Sequence, residues 1–159
     1  MSTTTANTTT TTAFDDPPTP VRTKLAASWT SFMFLYIYVD YLTLYKPGVI
    51  DGIRDGVVFE FDISQTFVLS SLILISIPTF MILLSTTLPA RASRVLNLVV
   101  ASLFIPVTVF KIQRCTAPCV GLVGEAEYLS FYALGVVLEL IVLAVILRSV
   151  WSWPRAANE

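Results

Sequence analysis

AEYLSFYALGVVLELIVLAVIL, residues 126–147, is the most continuous apolar run in the chain, and past Glu127 its one acidic or basic residue is Glu139. A helix rising about 1.5 Å per residue needs roughly 20 residues to cross a hydrocarbon layer of about 30 Å. The run has that length and is apolar on every side, so a helix made from it must be enclosed by protein or lie in lipid. Three further blocks have the same character: KLAASWTSFMFLYIYVDYLTL at 24–44, ISQTFVLSSLILISIPTFMILL at 63–84 and VLNLVVASLFIPVTVFKI at 95–112. The last is the shortest, and Pro89 suits a first helical turn from which it could start earlier. Four such helices in one small chain leave almost no polar surface for water. The expected fold is all-α: an antiparallel bundle of four transmembrane helices whose main partner is the lipid bilayer.

Composition agrees with this placement. Of the 159 residues 55% are apolar or aromatic and only 13% are charged, with a net charge of −1, whereas soluble domains carry about a quarter charged residues. That balance excludes a nucleic-acid-binding arm and an acidic tail. There is no His, which removes the usual general base, the commonest metal ligand and every Ser-His-Asp or Cys-His arrangement. Nothing in the sequence asks for a cofactor or a metal, and the balance is against an enzyme.

The start is different material. In MSTTTANTTTTTAFDDPPTP eight of the first twelve residues are Thr, and Pro17, Pro18 and Pro20 close the segment. With almost nothing to bury, residues 1–21 are expected to form a disordered tail before a membrane domain at 22–155, with 156–159 as a short end. The segment lacks the basic start, apolar centre and small-residue cleavage site of a signal peptide, so the first helix reads as an uncleaved anchor.

Orientation follows from Lys and Arg. With a cytoplasmic N-terminus, six of them (Arg22, Lys24, Arg91, Arg94, Arg148 and Arg155) fall inside and four (Lys46, Arg54, Lys111 and Arg114) outside. The compact loop TTLPARASR carries two Arg and no acid. This bias places both termini in the cytoplasm of a multi-pass protein of the plasma or inner membrane. Trp151 and Trp153 before Pro154 read as an aromatic anchor at that interface.

The first outer loop, YKPGVIDGIRDGVVFEFD, contains a Lys46-Pro47-Gly48 turn and a short helix with Val49, Ile50, Ile53 and Val57 on one side. Asp55-Gly56 then turns the chain, and Asp62 with Gln65 three residues on resembles a capping box. An ordered connector and a binding lid are both compatible with this loop.

Two acids fall within the predicted spans, Asp40 and Glu139. A charge at mid-membrane costs at least about 2.5–3.5 kcal/mol. Counted from its own helix end, Asp40 is about 6 Å below the outer surface and Glu139 about 20 Å below it. On this count Gln65, Thr66, Thr108 and Ser130 share the level of Asp40, whereas Ser31, Ser76 and Asn97 or Ser102 share that of Glu139. Two readings stay open: a protonated Glu139 that fastens helices together with the serine layer, or a proton site in a transport cycle. Tyr36 and Asp40 share a face at i, i+4 and could bond. Pro78 and Pro106 each free a carbonyl that nearby hydroxyls such as Ser76 or Thr79 can absorb.

Cys115 and Cys119, the two cysteines, fall in an outer loop where they could close a small disulfide around Pro118. Their C-x3-C spacing is not that of C-x2-C redox motifs, and two soft ligands cannot complete a zinc site.

The aromatic-Asp-Tyr run ending in Lys46-Pro47-Gly48, the Gln65-Thr66 opening, the Ile77-Pro78 step, the basic loop with RVLNLVV and the last helix through SVWSWPR together resemble a family of short bacterial four-span membrane proteins. That family is defined only as a domain of unknown function. The resemblance covers nearly everything after the Thr-rich start and includes an acid at the position of Glu139. It implies a fold and a location but no reaction. The Cys115/Cys119 segment is longer than the family pattern, so no family-wide thiol activity is implied. The leading expectation is a non-enzymatic helix bundle, compatible with self-association. The alternatives are a small proton-coupled transporter using Glu139 and Asp40, or a thiol-quinone oxidoreductase using the cysteines.

Overall fold

The computed structural model describes residues 19–58, 61–116 and 126–153. The elements are α1 (Val21–Thr43), α2 (Val49–Arg54), β1 (Val57–Val58), β2 (Phe61–Asp62), α3 (Gln65–Thr87), α4 (Ala90–Thr116) and α5 (Ala126–Trp151). The Thr-rich start, at residues 1–18, and the end beyond Trp153 lie outside the described residues. The predicted helices are present with shifted ends. In particular α4 begins at Ala90, directly after Pro89, instead of at Val95.

Among the described residues three helices are long and apolar enough to cross a membrane: Gln65–Thr87 at a mean hydropathy of 2.4, Ala90–Phe110 at 1.8 and Ser130–Trp151 at 2.5. The expected count of four is therefore reduced to three by this measure. At 23 residues α1 has the length, but Arg22, Lys24, Asp40 and a series of hydroxyls dilute its apolar character. All four long helices turn large apolar side chains outward, among them Phe34 on α1, Phe80 on α3, Leu103 on α4 and Leu134 on α5, each close to 60% exposed. Continuous apolar faces of this kind are unfavourable in water and compatible with lipid contact.

The helices follow one another around the bundle in the order α3, α1, α5, α4. Helix α1 packs along both α3 and α5, α5 along α4, whereas α3 and α4 meet sparsely, near their connecting turn. The buried centre is aromatic. Trp29 and Phe32 of α1 meet Phe104 of α4 edge-on, at ring-centroid distances of 6.4 and 5.6 Å. Leu25, Met81, Leu143, Ile146 and Val150 fill the rest at the end where α1 begins, here termed the base. There Arg22 Nη1 donates to Thr86 O at 3.4 Å, placing a cation at the carbonyl end of α3. Trp153 packs against the buried cluster, but Trp151 is 76% exposed, so the expected pair of anchors is split between core and surface.

At the opposite end α2 and a two-stranded antiparallel hairpin form a cap. Val57 pairs with Asp62 and Val58 with Phe61. This small ladder was not anticipated in an all-α chain. Gly48 and Gly56, at φ of 83° and 85°, turn the backbone at either end of α2. The expected capping box at Asp62 does not form, because Asp62 is held in the ladder. Ser64 caps α3 instead, its hydroxyl accepting from Phe67 N at 3.2 Å. Helices α3 and α4 run unbroken through Pro78 and Pro106.

Candidate functional site

The register of α1 against α5 organises the polar groups. Val39 lies against Gly135, and because the helices are antiparallel, three residues down α1 and four along α5 bring Tyr36 to the level of Glu139. Tyr36 is accordingly within Coulombic reach of both Glu139 and Asp40. Glu139 has no exposed surface at all, Tyr36 is buried at 4% and Asp40 is exposed. The two acids thus differ in depth by about one turn, roughly 6 Å, whereas counting each from its own helix end implies about 14 Å. The discrepancy has a simple origin. Thr43, the last residue of α1, is level with about Phe131, so the first turn of α5 projects beyond α1 and adds depth that the bundle does not have.

The expected partners of Glu139 are also redistributed. Asn97 is not at its level but about 10 Å nearer the base, level with Trp29. Trp29 Nε1 donates to Asn97 Oδ1 at 2.6 Å. Ser85 Oγ lies 3.1 Å from the same oxygen and 2.7 Å from Met81 O, so its single proton is shared. Asn97 Nδ2 donates to Ser93 O at 2.7 Å and to Ser93 Oγ at 3.3 Å. Trp29, Ser85, Ser93 and Asn97 are all fully buried. Here is a polar fastener of α1, α3 and α4 with every donor and acceptor of the amide engaged. Of its members only Asn97 was singled out by sequence reasoning. The missed signal was the indole N–H of Trp29, which needs an acceptor wherever it is buried.

The serines do not form the expected layer. Ser31 Oγ donates to Ala27 O and Ser76 Oγ to Leu72 O, each within its own helix, and Ser102 is exposed. Unlike Ser85, Ser31 and Ser76 return their hydroxyl protons to the preceding turn without sharing them with a neighbouring helix. The same holds at Pro78, where Ser76 and Thr79 bond Leu72 O and Ile75 O, not the carbonyl of Leu74 that the proline frees. Gln65 is exposed at the start of α3. Thr108 is fully buried, and its hydroxyl has no hydrogen-bond partner among the described residues. The Trp29–Asn97 pairing sets α1 and α4 in parallel, so Thr108, eleven residues on, is level with Asp40.

A cavity of about 420 Å³ lies beneath the cap, where all the long helices converge with α2 and the hairpin. Its wall is almost wholly apolar. Val39 and Thr43 come from α1, Phe67 from α3, Phe110 from α4 and Tyr132 from α5, and Asp40 is its one carboxylate among the described residues. The Thr43 hydroxyl is committed to Val39 O at 2.9 Å. Phe61 of the hairpin stacks on Phe67 with ring centroids 6.0 Å apart, tying the cap to α3. Glu139 is not part of this wall. The loop is therefore more than a connector: it closes a chamber of ligand size.

Cys119 lies outside the described residues, and with it the expected disulfide to Cys115. Among the described residues no group of three or more His, Cys, Asp or Glu gathers as a metal site.

A family model matches residues 19–153, a span that takes in every element described above, and its description is a family of unknown function. No curated protein and no solved structure matches the chain.

Proposed function

The chain belongs to this family of unknown function, DUF6326, and from that premise we propose that it is a non-enzymatic, multi-pass membrane bundle of four spans with Glu139 as an internal fastener. The carrying observation is the complete enclosure of Glu139 at the α1–α5 interface, level with Tyr36 and away from the cavity wall. A transported proton needs a route, and a carboxyl enclosed by packed helices is better suited to joining them.

In this reading α1 is the fourth span. It lies along two membrane-length helices, α3 and α5, and a helix packed lengthwise between two spans shares their layer. The base carries Arg22, Lys24, Arg91, Arg94 and Arg148 and faces the cytoplasm of the plasma or inner membrane. Gln65, Ser76 and Asn97 then have structural roles, as does Tyr36 beside Glu139.

The test is proton flux in proteoliposomes holding the purified full chain. An imposed pH gradient should decay at the rate of empty liposomes, with and without Glu139→Gln. A flux present in the wild type and lost in Glu139→Gln would replace this reading with proton-coupled transport.

A further inference from the structure

Beyond this structural role, we propose that the cavity beneath the cap is a binding site for a small hydrophobic amine, held by its ammonium at Asp40 and by its apolar body among Phe61, Phe67, Phe110 and Tyr132. The volume of about 420 Å³ falls within the range of ordinary small-molecule pockets, about 300–1,000 Å³. The wall is apolar except for a few groups, and each of these limits the ligand. The Thr43 hydroxyl is committed to the α1 backbone. Among the described residues Asp40 is the one carboxylate that lines the cavity, and it is exposed.

Charge complementarity selects the class. An anion would be repelled by Asp40. An uncharged hydrocarbon would fill the volume but strip water from the carboxylate without replacing it, at a cost. An ammonium replaces that water with a charge-assisted hydrogen bond, in surroundings where the attraction is screened less than in bulk water. Asp40 already takes part in an interaction within the protein. A carboxylate has about four acceptor positions, so a ligand N–H can be added to it. Aromatic side chains from the hairpin, α3, α4 and α5 supply flat apolar surface and favourable faces for a cation. The hairpin is part of the wall, so Val58 and Phe61 close the chamber from the side of the cap.

The experiment uses the full chain in lipid nanodiscs and three probes of matched size, with binding measured by equilibrium dialysis. These are 3-phenylpropylammonium, the uncharged butylbenzene and the anionic 4-phenylbutanoate. The ammonium should bind saturably, the hydrocarbon at least tenfold more weakly and the anion not at all. Asp40→Asn, which keeps the side chain's size, should reduce the ammonium to the level of the hydrocarbon. Val58→Trp, which keeps the carboxylate and narrows the chamber, should weaken binding of both. The proposal is overturned if the ammonium does not bind saturably, or if the hydrocarbon or the anion binds as tightly. It is equally overturned if the preference for the cation survives Asp40→Asn, or if Val58→Trp leaves the binding of both unweakened. Should Asp40→Asn fail to fold, the wild-type probe series and Val58→Trp decide alone.

Discussion

Gly135 and Val39 meet so closely that a Cβ placed on Gly135 would lie 2.8 Å from Val39 Cγ2 and 3.3 Å from Cγ1. This contact sets the distance between α1 and α5, and its register brings Glu139 opposite Tyr36. In lipid no hydrophobic force drives helices together, so a small residue that lets two backbones approach is a main source of packing energy.

Gly135→Ala is therefore expected to destabilise the protein, although alanine is the better helix former by about 1 kcal/mol. The branched Val39 side chain is stiff in a helix and cannot swing aside, and overpacking costs about 1–3 kcal/mol. The net loss should be about 1 kcal/mol, read as a lower thermal unfolding midpoint in detergent. Val39→Ala in the same chain should restore most of it. An unchanged midpoint for the single variant would show that the helices can part there at no cost.

Asn97→Ala removes the acceptor of Trp29 Nε1 and two donors to Ser93. A buried group left without a partner costs about 1–3 kcal/mol, whereas interhelical hydrogen bonds in membranes average nearer 0.6 kcal/mol. Because the whole amide is engaged, the larger range applies, and a loss of about 2 kcal/mol is expected. A double-mutant cycle with Trp29→Phe should show a coupling of at least about 0.5 kcal/mol between the two positions. Strict additivity would mean that the 2.6 Å bond contributes nothing.

Glu139→Gln should change stability by less than about 1 kcal/mol, since an amide keeps the size and hydrogen-bonding capacity of a protonated carboxyl. Glu139→Ala leaves a void in a fully buried position and should cost about 2–4 kcal/mol. Unfolding midpoints of both purified variants separate these outcomes. A Gln variant as unstable as the Ala variant would mean that the negative charge itself is needed.

Ser64→Ala should cost about 1 kcal/mol and raise hydrogen exchange in the first turn of α3, because the hydroxyl satisfies Phe67 N–H. Asp62→Ala, which alters the residue that the sequence pattern nominates as the cap, should leave that exchange unchanged.

The apolar blocks were legible as helices because their lengths and the intervening turn residues are local properties. The site was only half legible. Asp40 and Glu139 stand out in the sequence because a charge among apolar residues is conspicuous in any structure. Their relative depth does not, since it depends on how far α5 projects past the end of α1. The serines misled for a related reason: a hydroxyl can return to its own helix, and nothing in the residue type reveals which choice it makes. The hairpin was hidden because two-residue strands carry no period to recognise.

The sequence by itself determined that this chain forms long apolar helices, that few charges accompany them, and which residues are costly to bury. These follow from composition and from the hydrogen bonding that a backbone requires in an apolar layer. Only the tertiary structure decided that Asn97 joins Trp29 and not the level of Glu139, that Glu139 faces α1, and that Asp40 lines a cavity beneath the cap. Those relationships depend on register and crossing between helices, which arise from close contacts such as Gly135 on Val39. Such contacts join residues far apart in the chain, and no local pattern encodes them.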